Sequence, residues 1–530
     1  MSGSQDPKQR ELLEAYYRSK MQRRMMGSID RRTFLKQSAA AAAAGLMVAP
    51  FTNFNPKSVS AAKAVLQQTG NSADAAVEAA KQFSGITLNV VWEEALQLED
   101  PSKFSGPMWE ELTGIKINPI GKPFVELFPS QVAEHIGQTG AYDVMTIVPA
   151  WFADFVAQGM LEPLDPFVEQ YMNPVDLEDY HPLYKELLRF GGQIYGLFDD
   201  GDVIVLYYRK DLFEDQANKD EFMAANGFEL AVPQDWEQFD AIAAFFTEQG
   251  GGTTYGCASQ RAPGQVFGWF SEEFRNRGGR FFNEETMDAT LDSEAGVITL
   301  TAMVERKNLM PPGVETWGFI EVLSSWMAGQ LAMIGGTWPP IGRWSEGTTA
   351  EQLDWVPETQ VAGNVGYSVM PMGHSLHNGG FSLGVSPNSA NKEAAYLFIQ
   401  WMTSPTISLQ RVMLPYALRD PYRLSHFQSE EYRGRWATAG EYLDTLEAIA
   451  DGALLDLIMP GTNEYHTALD QMATSAQAGT SVADALATAN AAFNEITDRI
   501  GRDAQKAAYQ EFLAQRGSYY DDAGSATPEA

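Results

Sequence analysis

Between Gly85 and Pro149 the sequence alternates short β-branched runs with helix-like segments, and this alternation narrows the fold more than any other feature. Ile86-Thr87-Leu88-Asn89-Val90-Val91-Trp92 predicts a buried strand. Residues 107–113 predict a helix ended by Gly114, and 115–120 the next strand. A helix that takes Pro129 in its first turn runs to Ile136, and 142–148 is a third strand stopped by Pro149. Strands alternating with helices make βαβ units and a parallel sheet, so the fold class is α/β. Further along, a polar loop from Gly196 leads into a strand ending near Leu212. Helices are expected over 236–247, 266–276, 322–329, 392–402 and 482–500, the last capped by Ser481, with strands over 331–334 and 381–385.

The N-terminus is built differently. Asp30-Arg31-Arg32-Thr33-Phe34-Leu35-Lys36 precedes an Ala-rich run over 39–49 closed by Pro50. That run is about a dozen residues where a spanning helix needs about 20, so it reads as an export signal and not an anchor. Arg-Arg-x-Phe-Leu-Lys resembles the twin-arginine (Tat) motif, with Asp30 where Ser or Thr is usual. Ala62-Lys63-Ala64 offers a cleavage site, so 1–64 is the signal segment and the mature chain starts near Val65. Residues 1–64 hold eleven Lys plus Arg against four Asp plus Glu, so the net charge of −32 understates the acidity of the rest, which is −39. Such a chain repels nucleic acid and anionic lipid. The single cysteine, Cys257, forbids an intramolecular disulfide, and none lies near the cleavage region to carry a lipid anchor. The expectation is a free periplasmic protein. About 465 mature residues exceed what one core supports, so two lobes are the default.

Several segments, in order, resemble the bacterial extracellular solute-binding proteins of family 1, the carbohydrate receptors of ABC importers. They are Thr139-Gly140-Ala141-Tyr142-Asp143-Val144 with Gly159-Met160-Leu161-Glu162-Pro163-Leu164-Asp165; Ile194-Tyr195-Gly196-Leu197 with Leu206-Tyr207-Tyr208-Arg209-Lys210-Asp211-Leu212-Phe213; and Pro233-x-Asp235-Trp236, with Asp235 for the usual Thr. Gly329-Gln330-Leu331-Ala332-Met333 with Trp338, Gly379 to Val385, and Phe398-Ile399-Gln400-Trp401-Met402 complete the set. The resemblance implies a two-lobe periplasmic-binding-protein fold of type II, its lobes made of discontinuous sequence joined by a hinge that closes on ligand. The expected division is 65–84 as an N-terminal linker or helix, 85–202 with 331–378 as lobe 1, 203–330 with 379–518 as lobe 2, and 519–530 as a disordered tail. It implies a sugar or polyol as ligand, an ABC permease as partner, a monomer, and no cofactor. ATP is consumed elsewhere, since no Gly-x-x-x-x-Gly-Lys-Ser/Thr run occurs.

A polyhydroxylated ligand needs carboxylate or amide acceptors, a few donors and an aromatic platform, placed on loops at the carboxyl ends of strands. Candidates are Glu93 and Glu94 after the first strand, Trp151 after the third, and Asp200 or Asp202 in the Asp199–Asp202 cluster, whose charges need ligand, cation or water between them. Trp269 and Glu273 share one helical face. Trp317, Trp338 in its Gly-Gly-Thr-Trp-Pro-Pro loop, the amides of Gly379 and Gly380, and Arg419 complete the list. Arg419 is expected either to donate to vicinal hydroxyls or to pair with the Asp cluster.

Rival readings are an exported glycosidase, with two carboxyls across a sugar, and a receptor for a cationic solute such as a polyamine, a peptide or a metal complex. Gly380-Phe381-Ser382-Leu383-Gly384 matches the pattern of a nucleophile elbow, but Ser382 lies inside an apolar strand run instead of on a turn. His374-Ser-Leu-His377 lacks thiolate partners and reads as a surface loop.

Overall fold

The computed structural model describes residues 72–94, 97–347, 356–377, 380–515 and 517–518. The expected export segment over 1–64, residues 65–71, Gly379 and the tail from 519 lie outside them.

Among the described residues the chain builds two larger mixed sheets and two small two-stranded ones. The first takes β1 (Thr87–Glu93), β2 (Lys116–Lys122), β3 (Val144–Ile147), β4 (Leu197–Asp200) and β9 (Phe381–Val385) in the order β2-β1-β3-β9-β4. The second takes β5 (Val205–Arg209), β6 (Tyr255–Ala258), β7 (Leu331–Thr337) and β8 (Val365–Ser368) in the order β8-β5-β7-β6. The expected βαβ start is present: β2 and β3 both lie parallel to β1. Within the first sheet the expectation of parallel pairing holds only there, and in the second β6 is parallel to β7. β9 runs antiparallel to β3 and β4 because it enters the first sheet on the way back from the second.

That return also corrects the expected division of the chain. Residues 331–337 form β7, in the second sheet and not the first, and 381–385 form β9, in the first and not the second. Which sheet a returning strand joins is a long-range pairing that local pattern does not encode.

Helix boundaries follow local chemistry. Helix Trp236–Gly250 starts where Asp235 accepts the Gln238 N–H at 2.9 Å, so the Asp in place of Thr caps the helix equally well. Helix Val482–Ile500 is capped by Ser481 as expected. Pro129 lies inside helix Phe124–Gly137 and not in its first turn. Helix Ser72–Ala80, expected on the surface, buries Ala73, Ala76 and Ala80 in the largest core cluster, and Gln400 Nε2 donates to Ser72 O at 2.9 Å. Among the described residues no helix is long and apolar enough to cross a membrane.

Candidate functional site

Three stretches of chain pass between the sheets side by side. The first, Gly201 to Ile204, joins β4 to β5, and the second joins β8 to β9. The third, 414–422, leads from helix Pro405–Val412, tied to the first sheet through Arg411, to the short helix Leu424–Phe427, whose Phe427 joins the core of the second. Gly201 N donates to Asp420 O at 3.2 Å, and Asp420 N donates to Asp200 Oδ1 at 2.7 Å. Gly380 N donates to Asp202 Oδ2 at 3.0 Å. Glycine is required at both contacts. A Cβ on Gly201 would stand 2.3 Å from Pro421 O, and one on Gly380, whose φ is +78°, would stand 2.6 Å from Asp200 O.

The carboxylates here divide into two groups, one with arginine partners and one without. Arg411 binds Asp199 Oδ1 through Nη1 at 2.6 Å and Asp100 Oδ2 through Nε at 2.7 Å, and Arg419 Nε lies 3.1 Å from Asp199 Oδ2. Burial opposes ionisation of Asp199, but Arg411 and Arg419 outweigh it and hold the carboxyl below its ordinary range. Asp200, Asp202 and Asp420, all fully or nearly fully buried, offer oxygens within 4.8 Å of one another. Burial and mutual repulsion push Asp200 and Asp202 well above the usual carboxylate value and Asp420 up to about 7. Half-buried Glu93 ends β1 within electrostatic reach of this group; desolvation raises it to about 7 against the pull of Arg419.

On the second lobe, β7 ends at Thr337, paired with Val205, which places Trp338 beside the first crossing. Trp338 is half-buried and packs against three separate hydrophobic clusters. The Trp269 ring meets it edge-on at 5.7 Å and is fixed by donating Nε1–H to Gly336 O at 2.8 Å. The Trp338 and Pro339 carbonyls accept the Tyr207 hydroxyl at 3.2 and 3.1 Å. Glu93 and Trp338 thus terminate strands of opposite sheets, at the strand ends where open α/β sheets form ligand sites.

Residues 63–407 match the family described as bacterial extracellular solute-binding protein. The chain belongs to that family. The chain is also 26% identical, over 63% of its length and 72% of the relative's, to a probable amino-acid ABC transporter periplasmic-binding protein of Sinorhizobium fredii. It is 25% identical to a mannitol-binding protein of Pseudomonas aeruginosa over 50% of this chain and 57% of that one. An ABC transporter solute-binding protein from Agrobacterium vitis S4, solved with bound D-mannitol, superposes with a TM-score of 0.65 at 23% identity, covering 79% of this chain and 99% of that chain. The two-lobe solute-binding fold is therefore shared.

Within this solute-binding protein the candidate residues separate clearly. Asp200, Asp202, Gly380 and Arg419 gather at the crossings, Glu93 stands near them, and Trp269 and Trp338 pair beside them. Arg419 pairs with Asp199, the second of its two expected roles, and sends Nη2 to Gln97 O at 3.2 Å. The Gly380 amide is taken by Asp202, so it is not a free donor. Both Asp200 oxygens are occupied, by Gln97 Nε2 at 2.9 Å and by the Asp420 amide. Glu273 is a structural acid: it binds Arg277 at 2.6 Å and Arg306 at 2.8 Å inside the second lobe. Trp151 packs its ring with Phe124, Phe128 and Phe155 and is core. Glu94 is exposed at the β2 edge, where its amide donates to Lys122 O. Trp317 packs on the second-lobe clusters and turns the 261–262 loop through its carbonyl.

Two features escaped the sequence reading. His377, expected in a surface loop, is buried in a short strand against Tyr184 at 5.4 Å, and desolvation lowers it to about 4. Asp420 joins the carboxylate group across 218 residues of sequence, and only its place next to Arg419 hinted at it. Ser382 lies within β9, as its apolar neighbours predict.

Proposed function

We propose that this protein is the solute receptor of an ABC importer and captures a sugar or polyol between its lobes. One arrangement carries the reading: a half-buried acceptor, Glu93, and Trp338, backed by Trp269 from helix Val266–Asn276, stand at the ends of strands of opposite sheets beside three converging crossings. A polyol face stacks on such a ring while its hydroxyls donate to carboxylates, and lobe closure brings the two halves onto one ligand. The mannitol named for two similar proteins is a ligand of this chemistry. An amino acid, the class in the name of the Sinorhizobium relative, would need a cation for its carboxylate. Arg411 and Arg419 are instead committed to Asp100 and Asp199.

Glu93, Trp269 and Trp338 are the proposed ligand contacts, and Asp202, held by the Gly380 amide, stands on their hinge side. Trp317 and Glu94 stand away from the crossings and are placed outside the contact set. The proposal includes export through the twin-arginine route, a mature chain free of lipid, action as a monomer, and delivery of ligand to the permease without chemical change. Calorimetry against mannitol, ribitol, maltose, an amino-acid mixture and putrescine tests it. Saturable 1:1 binding of a polyhydroxylated compound is expected; binding confined to amino acids or putrescine refutes the ligand class.

A further inference from the structure

The carboxylates at the crossings have too few partners. Asp199 has two arginines, whereas Asp202 Oδ1 and both oxygens of Asp420 meet no donor, and all three residues of the trio are buried. Arg343, the other nearby cation, directs Nη1 to Leu414 O at 2.9 Å and Nη2 to the carbonyls of Ala417 and Arg419. Leaving buried acceptors empty costs about 1–3 kcal/mol each, more when charged, so something is expected to fill them.

We propose that Asp200, Asp202 and Asp420 hold one calcium ion, which ties the first lobe crossing to the third. Two independent observations meet here: carboxylate oxygens that converge, and oxygens among them that are buried without a donor. The ligand chemistry favours calcium: Ca²⁺ takes about 6–8 oxygen ligands at about 2.3–2.6 Å in flexible geometry, whereas Mg²⁺ dehydrates reluctantly and keeps several waters that so buried a site has little room for. The trio's oxygens lie within 4.8 Å of one another. Asp200 accepts from Gln97 and from the Asp420 amide and keeps a further lone pair on each oxygen for the ion, while the Gly380 amide holds Asp202 Oδ2; these donors orient the carboxylates, as outer partners do around metal ligands. The inference rests on this geometry alone and stands whether or not the ligand is a polyol.

The competing occupant is a proton shared between Asp202 and Asp420, whose carboxyls approach closely enough for it. The exported chain, stripped with EDTA, would be titrated with CaCl₂ by calorimetry at pH 7.5 in 150 mM NaCl, with thermal unfolding followed in parallel. One saturable site and a rise in Tm are expected, with a smaller response to MgCl₂. Asp420→Asn is expected to lose at least tenfold in calcium affinity. If that variant fails to fold, Tb³⁺ luminescence on the unaltered protein replaces it, with emission displaced by one equivalent of Ca²⁺ as the supporting result. Tyr184 lies close enough to sensitise the ion, since its hydroxyl donates to Gly201 O at 2.6 Å. Heat that never saturates, calcium binding unchanged in Asp420→Asn, or Tb³⁺ emission that Ca²⁺ does not displace would overturn the proposal. A Tm that climbs from pH 8 to pH 6 with no calcium response would do the same and assign the gap to the shared proton.

Discussion

Arg411→Met tests whether the paired acids hold the hinge together. Arg411 is buried, with three nitrogens on two buried carboxylates, Asp100 and Asp199. Methionine keeps much of the side-chain volume but leaves Asp100 with only Arg419, 3.8 Å away, and Asp199 with Arg419 and a long bond from Trp92 at 3.4 Å. Breaking a buried pair by removing one partner costs about 3–5 kcal/mol, because the remaining charge stays buried and uncompensated. The exposed pair Arg499–Glu464 is the control, since Arg499→Met removes a solvent-screened contact worth about 0–1 kcal/mol. Urea unfolding at pH 7.5 gives both values. The deficit also has a pH signature. In the unaltered protein Asp199 titrates below its ordinary value, so its pairing stabilises the fold above about pH 4 and is lost as pH falls through the folded pKa. Without Arg411 burial dominates and moves that pKa up, so the deficit should be smaller at pH 5 than at pH 7.5. A loss under about 1 kcal/mol, or one equal at both pH values, refutes the reasoning.

Trp338→Ala should weaken solute binding at least tenfold by calorimetry while the far-UV spectrum stays unchanged, because the ring is half-buried at the end of β7. Glu272 is buried and raised to about 8, so the folded state holds a proton that the unfolded state releases above about pH 4.5. Its contribution therefore destabilises progressively as pH rises from about 4.5 to 8, by about 1.4 kcal/mol per unit. Glu272→Gln, which can donate to the otherwise empty Asn276 Oδ1, should flatten that slope in urea unfolding from pH 5 to pH 8. Gly380→Ala should lower stability by about 1–3 kcal/mol through its left-handed backbone and the contact with Asp200 O, read as a drop in Tm. Cell fractionation of the double variant Arg31→Lys with Arg32→Lys should show the precursor retained inside the cell.

Much of the fold was legible because its signals are local. The β-branched apolar run around Val90-Val91-Trp92, bounded by Gly85, carries a local strand signal, and Gly114 ends its helix in the left-handed conformation. The exchange of β7 and β9 between sheets was not legible, because both are short buried strands whose partners lie across the crossings. At the site, Trp338 stands out in the sequence because a tryptophan in a glycine-flanked turn has few ways to pack, and Trp269 through its helical spacing from Glu273; that the two rings meet is a tertiary contact no spacing encodes. Glu273 misled: Arg277, four residues on, was a visible sign of a structural ion pair, but Arg306, 33 residues away, was not. Asp420 and Arg411 reach the first crossing only through tertiary folding, so no spacing rule could have placed them.

The most direct test of the account is calorimetric titration of the exported protein with mannitol, ribitol and maltose, with the recovered ligand then analysed for chemical change. The account predicts stoichiometric binding of at least one of them, weakened at least tenfold by Trp338→Ala, with the ligand recovered intact. Turnover of a glycoside without stoichiometric binding, or binding that is indifferent to Trp338, would contradict it.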